Sequence, residues 1–540
     1  MVESNVEYSA AGTARMVWDA WGVPAGHKPL SDGIRALLTQ VFGISGQPVA
    51  RREEGEVPLV PSALSETDHT GLGALIGREH VRVGDIDRLR HAGGKSTPDL
   101  LRRRADGPQD APDAVLFPAD HRQVLDVLAY CAAHGLAAVP FGGGTSVVGG
   151  VDPVRGGFPA VVALDLRRLD TLTDVDPVSG TATLGAGLTG PQAEEKLAEH
   201  GLSLGHFPQS FEFASIGGFA ATRSSGQASA GYGRFDDMVE RVLVATPQGT
   251  VDLGRGPASA AGPDLRQLFV GSEGTLGVIT AVTVRVHPVP DAVVHEAWSF
   301  PDFATGAAAL RSVVQTGAAP TVLRLSDEAE TGLNLARTAE IGAPPVSGCL
   351  AVTTFEGTVA HTGARMREAR DLLAAAGGTP LGPEPARQWE HGRFGAPYLR
   401  DALLDLGVLC ETLETATSWS NLGALKAAVT TALVDALAAQ GTPPLVMCHI
   451  SHTYPTGASL YFTVVCKQLD DPLTQWSAAK RAAGDAITGT GGTITHHHAV
   501  GADHRPWMTA EIGELGVRVL RAVKRELDPT GILNPGKLVP

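Results

Sequence analysis

Three histidines stand in a row in TITHHHAVG, residues 493–501: His496, His497 and His498. Imidazole titrates near neutrality, so such a run can move protons, hold a metal ion or simply fill a pocket. The metal reading is the weakest. Adjacent side chains rarely converge on one ion, and no spaced carboxylate partner is evident, so no metal is expected. GGTITHHH reads as a strand, in which successive side chains alternate faces. At most two of the three imidazoles are then expected to share a pocket.

A second set of residues could hold an anion. PFGGGTSVVGG, residues 140–150, puts three successive glycines after a buried strand, where backbone N–H groups can close on a phosphate without interference from Cβ. It is not G-x-G-x-x-G, since Val147 stands where the last glycine should be. No GK[ST] follows, so a nicotinamide fold and a P-loop are both disfavoured. One such loop could be a plain tight turn. SIGGFAATRSSG (215–226) and GSEGTLGVIT (271–280) add two more small-residue stretches. Three loops spread over ~140 residues of one α+β unit suggest an extended ligand such as a dinucleotide.

The elements that must position these residues follow from periodicity. HRQVLDVLAYCAAHG is a helix ending on Gly135, LAAVPF a buried strand, and RVLVATPQGTVDLG a hairpin turning at Pro247–Gly249. VVALDL and TATLGAG read as strands, and PQAEEKLAEHG as a helix capped by Gly201. After the prolines at 288 and 290 the pattern restarts. Helices alternate with the strands GCLAVTTFEG and SLYFTVVCK, which points to an antiparallel sheet. The expected layout is a mixed segment 1–110, a ligand-binding domain 111–290, a cap domain 291–510 and a C-terminal segment 511–540 returning to the ligand domain. The stretch GLGALIG at 71–77 is a turn and short helix with no preceding strand. The Ala/Leu-rich segments 306–315 and 423–439 are either ordinary helices or walls of an apolar channel.

Bulk properties bound the class. At 540 residues the chain is long enough for two or more domains. A net charge of −15 argues against a general nucleic-acid binder, while leaving room for a local basic pocket. Five scattered cysteines without a CxxC pair fit a reducing compartment. The polar N-terminus shows no signal peptide and no apolar run spans a membrane, so a cytoplasmic location is expected.

The order PxGGGTS, TRSSG and GSEGTLGVIT resembles the vanillyl-alcohol-oxidase, or PCMH-type, FAD-binding family. The implied fold is α+β: a two-subdomain FAD-binding unit plus a cap domain with an antiparallel sheet and flanking helices. The resemblance implies FAD contacts from Pro140, Phe141, Gly142, Gly143, Gly144, Thr145 and Ser146. It adds Gln209, Ser210, Glu212, Ser215, Gly217 and Gly218, then Thr222, Arg223, Ser224 and Ser225. The third stretch adds Glu273, Gly274, Thr275, Leu276, Gly277, Val278 and Ile279. The first loop contains no His or Cys, so the FAD is expected to be non-covalent.

Within this family the tail DPTGILNPGKL is similar to glycolate oxidase and D-lactate dehydrogenase subunits. HHHAVG and SHTYPTGASLYF stand where those proteins carry an acidic residue and a metal-binding histidine segment. RMVWDAWG, GHFPQSFEFASIGG, RLSD, LRDALLDLGVLCETLETATSW and the HHH run are closer to the alkylglycerone-phosphate synthases, over nearly the whole chain. Where that family often has RAHGH this chain has RHAGGKST, leaving His91 and Lys95 at that edge of the pocket.

The resemblance implies exchange of the acyl group of acyl-dihydroxyacetone phosphate for a fatty alcohol, through attack by N5 of the reduced flavin. It implies proton transfer by His496, His497 or His498, a catalytic tyrosine at Tyr461, flavin support from Arg324 and phosphate binding by Arg400. It also implies a homodimer and a phosphate- or carboxylate-bearing substrate, with contact at a membrane surface compatible with a lipid. The alternative is a flavin oxidase or dehydrogenase of a 2-hydroxy acid or a specialised metabolite.

Overall fold

The computed structural model describes residues 16–334, 341 and 347–540, so the polar stretch 1–15 lies outside the described residues. The ligand-binding half is built on two sheets. In the first, Leu136–Phe141 and Ala114–Leu116 run parallel to Ala160–Asp165, and Val81–Arg82 adds an antiparallel edge. The helix His121–His134 makes the crossover between two of these strands. It starts where the Asp120 carboxylate accepts the Gln123 N–H and stops at Gly135 in the left-handed region. The second sheet is antiparallel, in the order Leu172–Asp176, Thr181–Gly185, Val278–Arg285, Val239–Thr246, Gly249–Leu253.

The cap sheet has seven strands, all antiparallel: Thr379–Gly382, Ala292–Phe300, Cys349–Gly357, Val322–Ser326, Leu445–Ile450, Gly457–Lys467 and Val408–Ser418. One face is covered by the helices Phe303–Thr316, Val359–Ala375, Leu422–Ala438 and Pro472–Gly489, which share a continuous apolar core with it. Leu422, Leu425, Val429, Leu433 and Leu437 form the buried stripe of their helix in this core. The segments 306–315 and 423–439 are therefore ordinary covering helices rather than channel walls.

The C-terminal segment packs back on the first sheet, beside the strand Leu136–Phe141. Ala138 N–H donates to the Ile532 carbonyl and Asn534 N–H to the Ala138 carbonyl, both at 2.9 Å. Near the start, Trp18 and Trp21 are buried, and the backbone there is held by Arg103, Lys95 and Asp401. All five cysteines are buried and unpaired. The architecture is α+β, an FAD-type two-sheet unit with an antiparallel cap, as the sequence implied.

Candidate active site

The other face of the cap sheet carries a polar line between two smaller apolar clusters, one built on Leu30, Leu38 and Leu403 and one on Ala386 and Trp389. Ser326 pairs with His449, His449 with Tyr461, and Tyr461 with Glu414, across four neighbouring strands. Directly paired residues point to the same face, so these side chains form a row. Leu460 and Phe462, on either side of Tyr461, belong to the apolar core behind the sheet. Tyr461 stacks on His449, with ring centroids 4.9 Å apart. The carboxylate of Glu330 binds the row from below, accepting from Arg324, from the Ser326 hydroxyl at 2.8 Å and from His449 Nδ1 at 2.8 Å.

Glu414 organises the histidines. Its buried carboxylate accepts the Thr495 hydroxyl at 2.5 Å and the backbone N–H groups of His496, His497 and His498 at 2.5, 3.1 and 2.9 Å. The run is thus a loop wrapped round a carboxylate, not a strand; only Thr493 keeps a bridge, to Ala416. Ala499, at φ +73, turns the chain out of the loop. Side-chain alternation fails for this reason, and all three imidazoles share the site. Ring centroids lie 5.2 Å apart for His496–His497 and 4.8 Å for His497–His498. Tyr461 faces His497 at 6.0 Å and His498 at 5.6 Å.

The free nitrogens are unequal. His496 uses both: Nδ1 meets Nδ1 of His497 at 3.0 Å, and Nε2 meets the Tyr454 hydroxyl at 2.6 Å. His498 makes no side-chain hydrogen bond, its closest ion-pair distance being 4.0 Å to Glu414, and His497 uses only Nδ1. His497 Nε2 and the His498 ring are therefore the imidazole positions open to a ligand. Burial pushes all three imidazoles below the usual histidine range, His496 to about 3, so they stand neutral. Burial would raise Glu414, but the surrounding imidazoles and the Thr495 hydroxyl outweigh it and hold the carboxyl well below its usual range. With the rings neutral, the four donors around it carry most of this effect.

His452, His496 and His497 bring ligand atoms within 4.8 Å of one another, the one group among the described residues that could gather a metal ion. The convergence is closer than adjacent residues in a strand would permit. In this geometry His452 Nε2 is paired with the Gly226 carbonyl at 3.1 Å and Nδ1 with the Ser451 hydroxyl at 2.8 Å.

The histidine loop docks on the glycine loops. The Glu273 carboxylate accepts the N–H groups of Val500 at 2.8 Å and Gly501 at 2.6 Å, and Ala502 N–H donates to the Val148 carbonyl. Beside the first glycine loop lies a groove open to solvent, lined by Gly142, Gly143, Gly144, Gly187, Thr189, Phe213 and Ser215. Arg90, His91, Lys95 and Arg167 add positive or polar groups to its rim. The glycines serve the chain as well as a ligand. A Cβ on Gly143 would lie 1.9 Å from the Phe213 carbonyl oxygen, and one on Gly142 would lie 2.2 Å from the Ser215 hydroxyl.

Comparison with known proteins fits this geometry. Residues 112–253 match the FAD binding domain family, and residues 289–538 match the FAD linked oxidases, C-terminal domain family. An alkyldihydroxyacetonephosphate synthase of Dictyostelium discoideum is 35% identical over 489 residues, 87% of this chain and 80% of the relative. One from Trypanosoma brucei brucei is 31% identical over 97% of this chain and 92% of its own length. A solved alkyldihydroxyacetonephosphate synthase structure superposes with a TM-score of 0.82 at 30% identity, covering 97% of this chain and 99% of that one. The chain belongs to the alkyldihydroxyacetonephosphate synthase family.

As a member of the alkyldihydroxyacetonephosphate synthases it is an FAD-dependent enzyme, and the groove fits that cofactor. Gln209 Nε2 and Ser272 Oγ, on the small-residue stretches beside it, are buried without partners, and Cβ atoms at Gly142 and Gly143 would collide with the chain. Not every residue expected to touch FAD offers its side chain. Leu276, Val278 and Ile279 are core residues, so only their backbone is available. Arg223, left-handed at φ +50, turns its guanidinium to the carbonyls of Val270 and Gln267. Glu273 directs its carboxylate to the histidine loop. Ser224 bonds His206 and Thr222 bonds the Gly218 carbonyl. Pro140 lies at the end of the strand Leu136–Phe141, Ser210 and Glu212 lie in the turn before Ser215, Gly217 and Gly218 open the helix Ile216–Thr222, and Thr145, Ser146, Ser225, Gly274, Thr275 and Gly277 lie in loops.

Two expected arginines are already partnered. Arg400 donates to Asp401 from Nε and Nη2 and to the Lys95 carbonyl from Nη1, leaving two of its five N–H groups. Arg324 donates to Glu330, while its Nε is buried without a partner. Residues missed in the sequence are Glu414, Tyr454, Arg90, Arg167 and Thr189. A glutamate inside the strand LCETLETATS was the available signal, since burying a carboxylate demands a set of donors.

Proposed function

We propose that this enzyme exchanges the acyl group of acyl-dihydroxyacetone phosphate for a fatty alcohol, giving an ether-lipid precursor. One observation carries the reading: neutral imidazoles with free nitrogens, gathered by Glu414 and joined to the FAD loops through Glu273. A neutral imidazole is a base, and the reaction needs a proton removed beside the ketone and another managed on the incoming alcohol. His497 Nε2 and His498 are assigned these tasks. Tyr461, whose hydroxyl burial pushes up to about 12, stays protonated and donates to a substrate oxygen. The two uncommitted N–H groups of Arg400 grip the phosphate, and the unpaired Nε of Arg324 adds positive potential beside the cofactor. FAD, when bound, supplies the activation that lets a poor leaving group depart from a saturated carbon.

Incubating the holoenzyme with acyl-dihydroxyacetone phosphate and labelled hexadecanol is expected to give labelled ether and free fatty acid. Turnover of a 2-hydroxy acid with an electron acceptor, and no ether, would instead make it an oxidoreductase. His498→Ala is expected to lower turnover by roughly 100-fold or more, the usual worth of a positioned acid–base group, with FAD absorbance unchanged. Normal activity in that variant would remove the role given to His498. The reading also includes a homodimer, checked by sedimentation, and transient contact with a membrane surface, checked by liposome flotation. Among the described residues no helix is long and apolar enough to cross a membrane.

A further inference from the structure

His496 is buried and committed at both nitrogens, so it cannot meet a substrate, yet it lies in an unbroken line of exchangeable groups. The line starts at the open Nε2 of His497 and passes through the 3.0 Å contact of its Nδ1 with Nδ1 of His496. It continues from His496 Nε2 to the Tyr454 hydroxyl at 2.6 Å. Tyr454 is half-buried at the tip of the loop joining the strands Leu445–Ile450 and Gly457–Lys467, and its neighbours Pro455 and Thr456 are exposed. Trp419 Nε1 donates to the Tyr454 carbonyl at 2.9 Å and fixes that loop.

We propose that Tyr454 is a positioning and relay residue that carries protons between the imidazole cluster and solvent through His496. The assignment rests on the acyl-exchange reading above for the origin of the proton. When His497 Nε2 takes a proton from the substrate C–H, the electron pair stays on carbon and the ring gains one positive charge. Its Nδ1 proton passes to Nδ1 of His496, the Nε2 proton of His496 passes to the Tyr454 oxygen, and the tyrosine hydroxyl proton leaves to water. One proton enters and one leaves, and each imidazole ends neutral in its other tautomer. Reversing the line returns a proton to His497 Nε2, so one chain serves as base in the first half-reaction and acid in the second. The neutral state that burial imposes on His496 and His497 keeps both tautomers accessible.

Tyr454→Phe removes the terminal hydroxyl and keeps the ring. In the FAD-loaded enzyme we expect turnover to fall about tenfold with little change in KM, and the solvent deuterium isotope effect to rise. Tyr454→Ala opens space at the loop tip, and added imidazole buffer is expected to restore its turnover in a concentration-dependent way, which a purely structural residue would not show. Unchanged turnover and isotope effect in Tyr454→Phe, or no rescue of Tyr454→Ala, would overturn the relay. If the wild type makes no ether, the acyl-exchange reading fails on its own. The relay is then still read by exchange of the His496 and His497 ring protons with water in 15N-histidine NMR. Tyr454→Phe must slow that exchange, and equal rates would reject the proposal.

Discussion

At the scale of single residues the carboxylate of Glu414 has a larger task than any one histidine. Four donors from consecutive residues converge on it, and it lies fully inside the molecule. Glu414→Gln keeps the shape but offers one acceptor and a competing N–H₂ where two acceptors stood. At least one of the four donors is then left facing another donor, at a cost of about 1–3 kcal/mol per unsatisfied buried group. The expected result is a lower melting temperature by calorimetry, FAD retained, and turnover reduced by about two orders of magnitude. A variant with wild-type turnover would mean that the imidazoles gather without the carboxylate. The row behind it obeys the same logic. Glu330 is pulled far below the usual carboxylate range because His449 and Arg324 outweigh the cost of its burial.

At the scale of elements the junction between the histidine loop and the first glycine loop decides the geometry. Gly501 sits at φ +54, and a Cβ there would lie 2.1 Å from the Val148 carbonyl oxygen. Gly501→Ala is therefore expected to lift the histidine loop off the cradle and cut turnover more than tenfold, with FAD still bound. Gly317→Ala also strains a left-handed residue, at φ +85, but meets nothing within 4 Å and should leave turnover intact. Equal activity in both would show that the contact is not needed. Punctuation of this local kind was readable in the sequence, from the Gly135 helix stop to the hairpin at Pro247–Gly249. The cradle loops were readable as well, since small residues in three places have few other uses. The histidine loop was not. Thr-Ile-Thr before the triplet favours a strand locally, and the carboxylate that captures the loop lies some 80 residues away. Likewise Leu276, Val278 and Ile279 sit in a loop motif but serve the core, because the strand Val278–Arg285 begins inside the motif.

At the scale of the whole molecule, buried neutral histidines make the fold sensitive to acid. Burial depresses His206, His496 and His504 to about 3 and His449 to about 4. Each folded value lies below the unfolded one of 6.5, so the unfolded chain binds the extra proton as pH falls. Stability from these groups is complete above about pH 6.5 and is lost progressively towards pH 3–4, by up to about 1.4 kcal/mol per pH unit for each. Two buried carboxyls act in the opposite direction. Burial raises Glu273 to about 7 and Asp152 to about 6, so the folded state holds their protons and gains as pH falls through those values. Among these six groups the four histidines outnumber the two carboxyls, so the unfolded chain holds the excess of protons between roughly pH 6 and 4.5. Asp165, drawn down to about 2 against its burial by Arg167 and His91, adds its loss only below about pH 4. The melting temperature is thus expected to fall steeply between pH 6 and 4.5, before ordinary carboxylate protonation acts. Three of the four histidines, His449, His496 and His504, line or adjoin the row and loop that face the cradle, so flavin fluorescence should rise with the same midpoint. His206→Asn, which removes one of the four from the ligand-binding half, should flatten the slope by about one proton. A melting temperature constant from pH 7 to 4.5 would show that these imidazoles gain protons without unfolding the chain.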